Sequence, residues 1–226
     1  MKNSPYLWLI LCVCLLLPGG PARAESELNQ QIADRYELLL VRSPQAGAPL
    51  DRVVEWYSTG GGGLEILQQR WQDAAAKDDT AKASYLLLQG LLAERRRDAD
   101  TAPKCYLAAL AAGASPAQAG RLLGVLETTE GRFDAAAAAY EKALAVDELA
   151  SVDRLDLMRS LALLYQRSFK EDKALAVWRD ALIRFPNDQY VLEEAGEAFL
   201  AAGEYEEARK AFTAMRDASA NDPFRR

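Results

Sequence analysis

One pattern limits what this chain can fold into more than any other: a small residue, an aromatic four positions on, and a second small residue three further. It occurs at Ala102/Tyr106/Ala109, Ala136/Tyr140/Ala143 and Ala174/Trp178/Ala181, and again at Ala208/Phe212 with Met215 in third place. Twelve residues ahead of each leading alanine stands another small residue: Gly90, Gly124, Ala162 and Gly196. Successive copies lie 34, 38 and 34 residues apart. Spacings of three and four put side chains on one face of a helix, so each copy reads as two amphipathic helices joined by a short turn. The small positions let two backbones approach closely, and the ring fills the wedge between them. Pro186 stops the second helix of one copy, because proline cannot continue a helix interior. Gly131 and Gly203 close the turn in two others. A period of this length marks a stacked array, so the expected fold class is all-α, a solenoid of antiparallel helix pairs.

The small and aromatic positions at a 34-residue period resemble the tetratricopeptide repeat (TPR). The resemblance is carried by "RLLG…EGRFDAAAAAYEKAL" (117–150), "LALLY…KALAVWRDALIRFP" (155–188) and "EEAGEAFLAAGEYEEARKAF" (189–222). A fainter copy, "LLLQGLLAERRRDADTAPKCYLAAL", covers 83–116. The resemblance implies a TPR-type solenoid wound into a right-handed superhelix, with the first helix of each unit lining a concave groove. Two departures stand out: the family's early tryptophan is missing, and its terminal proline is in register only at Pro186. Four extra residues around Ala150 to Arg154 are expected to lengthen one helix by about a turn.

Upstream, residues 25–80 are expected to form an N-terminal cap ahead of an array over 81–226. "ESELNQQIADRYELLLVR" (25–42) reads as one amphipathic helix, ended by "SPQAGAP". A degenerate helical hairpin follows, with Trp56 and Trp71 as its core aromatics and Gly63 placed 34 residues before Arg97, the turn position of the next unit. Gly60 to Gly63 lack the Lys-Ser/Thr that a phosphate loop carries and read as an interhelical turn. Ahead of the cap, Lys2, the apolar run Tyr6 to Leu17, the helix breakers Pro18-Gly19-Gly20 and Ala22-Arg23-Ala24 read as a signal peptide over 1–24, cut after Ala24. An apolar run of about twelve residues is short for a bilayer span. The mature chain is expected to be periplasmic or secreted, with no stable membrane span after cleavage.

Cleavage takes Lys2, Arg23, Cys12 and Cys14 away, leaving 25 of the 27 basic residues against 33 acidic ones, a net charge of −8. That balance argues against nucleic acid, whose phosphates select basic faces. Only Cys105 remains, so no intramolecular disulfide can form; it reads as a buried or half-buried structural thiol, with intermolecular pairing as the alternative. Histidine is absent, which removes the usual general base, the commonest metal ligand and the Ser-His and Cys-His pairs together. The acidic pairs Asp78-Asp79, Glu193-Glu194 and Glu206-Glu207 match no calcium loop and read as solvated faces. Glu94 to Arg97 is a short basic run at a helix end, where positive charge suits the dipole. No catalytic residue, metal or cofactor is expected.

What remains is the groove that the resemblance implies. Ligand contacts carried over from the family fall at Leu87, Leu91, Arg121, Val125, Thr128, Asp156, Arg159, Leu163, Gln166, Tyr190, Glu193 and Glu197. Arg121 and Arg159 occupy equivalent places in adjacent units and are expected to face an acidic or carboxylate-bearing partner. The expected function is a non-catalytic scaffold that holds a peptide or helix of a protein partner in this groove. The alternative is a structural subunit of a larger envelope assembly, joined through its convex face or its C-terminal end. "DASANDPFRR" reads as leaving the last unit uncapped, so that a partner caps it, a second copy stacks there in self-association, or the chain is a piece of a longer repeat protein.

Overall fold

Each of the four repeat pairs closes where a ring meets a glycine or an alanine. A Cβ added to Gly90 would collide with the Tyr106 ring, one on Gly124 with the Tyr140 ring, and one on Gly196 would lie 2.8 Å from Phe212. In the remaining copy Ala162 and Trp178 hold the same places, both buried. The alanines of the pattern, Ala102, Ala109, Ala136, Ala143, Ala174, Ala181 and Ala208, are buried as well, and Phe212 is partly buried against the last core cluster.

The computed structural model describes residues 21–220. These form α1 (Pro21–Arg42), α2 (Ala48–Thr59), α3 (Leu64–Lys77), α4 (Lys82–Arg95), α5 (Thr101–Ala111), α6 (Pro116–Thr129), α7 (Phe133–Leu144), α8 (Ser151–Arg167), α9 (Glu171–Arg184), α10 (Gln189–Ala201) and α11 (Tyr205–Ala220). Among the described residues there is no strand, and the fold is an all-α helical repeat. None of these helices is long and apolar enough to cross a membrane. The expected leader up to residue 20, with Cys12 and Cys14, lies outside the described residues, as do residues 221–226.

The chain divides into two compact units, Met1–Ala112 and Gly113–Arg226. The repeat over 83–116 thus stands with the cap helices, because α4 packs against α1 and α3 as well as against its partner α5. In this first unit Trp71 is fully buried and its indole N–H donates to Glu37 on α1 at 2.9 Å. Trp56 is only half-buried, beside Ile32 and Tyr36 at the rim of a surface depression, so Trp71 alone of the two is fully buried in the core. Gly60 to Gly63 form the α2–α3 turn, with Gly62 and Gly63 at positive φ.

In the second unit α6/α7, α8/α9 and α10/α11 pack as pairs, and each pair packs on the next. One core joins Tyr140 and Ala136 to Leu157, Leu161 and Tyr165; the next joins Trp178 and Ala162 to Val191, Ala195 and Phe199. Every turn within the four repeats has one geometry. Arg97, Gly131, Phe169 and Gly203 all take left-handed φ, between 57° and 81°. Gly131 N–H donates to the Thr128 carbonyl at 3.1 Å and Arg132 N–H to Glu127 at 2.8 Å; Phe169 and Lys170 repeat this with Gln166 and Tyr165. These paired bonds satisfy carbonyls that the end of a helix leaves open. The four additional residues do lengthen a helix: α8 has 17 residues where α6 has 14 and α10 has 13.

Candidate functional site

The first helices of the three pairs in the second unit, α6, α8 and α10, present one stripe each. Residues three and four apart share a helix face. On α6 that face carries Arg121, Val125 and Thr128; on α8, Asp156, Arg159, Leu163 and Gln166; on α10, Tyr190, Glu193, Glu197 and Leu200. Ion pairs set the stripes side by side. Arg121 lies 3.9 Å from Asp156, and Arg159 grips Glu194 with two nitrogens, its Nε at 2.9 Å. Between and beyond these charges stand apolar groups open to solvent: Val125 at 50% exposure, Leu163 at 43%, Leu200 at 51% and Tyr190 at 73%. Thr128 is half-buried, its hydroxyl donating to the Gly124 carbonyl at 2.7 Å.

Ten of the twelve residues expected in a groove lie on these stripes. Leu87 and Leu91 do not: both are 2% exposed. They belong to α4, which α1, α3 and α5 surround, so the face that the family pattern assigns to a ligand is core here. The two arginines stand beside carboxylates of the neighbouring repeat. Arg159 holds Glu194 through two nitrogens, and a bidentate arginine–carboxylate pair is the stronger kind, whereas Arg121 only stands near Asp156 at 3.9 Å. Neither offers an unmatched positive charge. Among the described residues Glu193 and Glu197 have no ion-pair partner, so the charge left over on this face is negative.

The other candidates resolve into structure. Cys105 is half-buried, and burial together with the charge of Asp98 pushes its thiol up, which keeps the reactive thiolate scarce. Arg95 and Arg96 of the basic run pair with Asp51 and Glu65 inside the first unit. Asp78 caps the turn to Thr80 and Ala81, while Glu206 and Glu207 pair with Arg209 and Arg179. Among the described residues no three His, Cys, Asp or Glu groups come together as a metal site. Three features lie beyond the sequence reading: the buried Glu37–Trp71 bond, the left-handed Phe169, and Arg154, which donates to the carbonyls of Leu144, Val146 and Asp147. Phe169 carried a signal, since it stands 38 residues after Gly131 and 34 before Gly203.

A family model described as the tetratricopeptide repeat matches residues 87–151 and 157–223, more than half of the chain. No curated protein matches the sequence. Among solved structures, BtubC (BKLC) from P. vanneervenii is 17% identical, with 89% of this chain and 92% of that one covered and a TM-score of 0.55. A MamA protein is also 17% identical, with coverages of 86% and 92% and a TM-score of 0.55. A second MamA crystal structure is 18% identical over 73% of this chain and 94% of its own, with a TM-score of 0.52. Likeness at these identities is likeness of fold.

Proposed function

We propose, for a chain that belongs to the tetratricopeptide repeat family, a non-catalytic role as a protein-interaction scaffold that holds a peptide or helix of its partner on the α6–α8–α10 face. Proteins of this family serve in general as protein-interaction scaffolds. The observation that carries the finer reading is the apolar row on that face. Val125 and Leu163 occupy equivalent places in adjacent repeats, and Leu200 and Tyr190 flank them on the third, all open to solvent. An exposed apolar row rimmed by charge is what a docking segment covers. Its backbone is held by the cores beneath, so little ordering accompanies capture. The chain acts outside the cytoplasm, released by cleavage after Ala24, on the strength of the leader composition alone. N-terminal sequencing of the mature protein should begin at Glu25.

A photo-crosslinking side chain placed at Leu163 should trap the partner in native envelopes, and Val125→Asp combined with Leu200→Asp should abolish that trapping while helical content is kept. A second reading has its own observation: Ile183 on α9 is 78% exposed, on the other helix of its pair. Crosslinks from position 183 and none from 163 would assign the chain to the structural-subunit class.

A further inference from the structure

We infer that the segment held on this face is basic: an amphipathic stretch with Lys or Arg about one helical turn apart, flanked by apolar side chains. The inference rests on reading the α6–α8–α10 face as the peptide site and adds the chemistry of its occupant. Arg121 and Arg159 are matched by Asp156 and Glu194. The third stripe breaks that alternation. Where Arg121 and Arg159 stand on α6 and α8, α10 has Glu193, followed one turn on by Glu197, both exposed and without an ion-pair partner among the described residues. Tyr190 precedes them by three residues and Leu200 follows by three, so α10 offers an aromatic, two carboxylates and a leucine along one face. Ten residues of helix extend about 15 Å. Leu163 and Val125 continue the apolar part of this surface onto α8 and α6. An acidic segment would meet two like charges at α10 and would have to break existing pairs to reach the arginines. A basic one finds unmatched carboxylates, and such complementarity selects partners and speeds encounter.

The test pans a displayed library of random twelve-residue peptides against the full chain, with Leu163→Asp as the face control. Peptides enriched in Lys or Arg together with apolar residues, and lost on Leu163→Asp, are the expected result. Binding of a selected peptide, followed by fluorescence anisotropy, should weaken roughly tenfold on the Glu193→Lys, Glu197→Lys double variant. It should weaken less on the Gln equivalents and should weaken with rising salt. Circular dichroism of each variant verifies that the helices persist. Enrichment of Asp and Glu, cancelled by Arg121→Glu with Arg159→Glu, overturns the inference. So does enrichment without charge bias, although loss of those peptides on Leu163→Asp would leave the peptide-site reading standing. Failure to enrich any peptide, or enrichment indifferent to Leu163→Asp, removes that reading and this inference with it.

Discussion

At Gly124 a single methyl group would press into three atoms of the Tyr140 ring. Alanine is favoured over glycine within a helix by roughly 1 kcal/mol, but overfilling a packed site costs about 1–3 kcal/mol. The ring is buried and cannot swing away, so the clash decides the sign. Gly124→Ala should therefore destabilise the chain by about 1 kcal/mol in denaturant titrations. In a Tyr140→Leu background the same change should become neutral or favourable, a coupling of about 1 kcal/mol or more. Phe169 poses the opposite case. Its φ of 57° and 96% exposure put a bulky side chain in a left-handed turn with no packing in return. That conformation costs a non-glycine residue about 1–2 kcal/mol, of which glycine's extra freedom when unfolded takes back part. Phe169→Gly should raise stability by about 0.5–1 kcal/mol, read as a higher Tm. An unchanged or lower Tm would show that the phenyl group makes a stabilising contact after all.

At the scale of helices, pairing was legible and the junctions were not. A ring opposite a small residue is a local rule, visible at Ala136, Tyr140 and Gly124 without any coordinates, and it fixed which helices pair. The insertion at 150–154 was visible as four surplus residues, yet its use was not. Arg154 reaches back to donate to the Leu144 carbonyl at 3.0 Å and the Val146 carbonyl at 2.7 Å, closing the C-terminal end of α7. The Leu144 carbonyl, at the last residue of α7, has no partner within its own helix, and the arginine's charge suits the negative end of the helix dipole. Arg154→Ala should cost about 1–3 kcal/mol, with faster amide exchange concentrated at the end of α7 and the start of α8. Arg154→Lys, which keeps the charge but loses the fork, should fall between. The insertion also hid the ion-pair ladder. Arg159 aligns with Arg121, but the residue aligned with Asp156 is Tyr190, and the carboxylate that meets Arg159 is Glu194, one turn further on. Leu87 and Leu91 misled for a related reason: alignment gave their face in the repeat and could not reveal that α1 and α3 cover it.

Over the whole molecule the absence of histidine leaves no side chain whose ordinary pKa falls between 5 and 8, so any response near neutrality has to come from displaced groups. Two described carboxylates are displaced upward, both chiefly by burial: Glu37, bonded to Trp71 and Arg70, and Glu94, which accepts from Tyr106. Both lie in the first unit. A carboxyl group whose folded value lies above its ordinary one contributes stability that is full below the ordinary value of 4.5 and is lost as pH rises through the folded value. The exposed Asp78, Asp98, Asp134 and Glu206 are held low by their hydrogen bonds and act in the other direction, contributing above their ordinary values and failing only on acidification. The two classes separate by window: loss on the acid side belongs to the surface groups, and loss on approaching neutrality to Glu37 and Glu94. Glutamine at position 37 or 94 retains an oxygen for Trp71 or Tyr106 but carries no charge to desolvate. Each variant should gain in Tm relative to the parent more at pH 7.5 than at pH 4.5, and together they should flatten the parent's decline between those values. An equal difference at both pH values would mean that the surrounding hydrogen bonds and Arg70, rather than burial, govern these carboxylates.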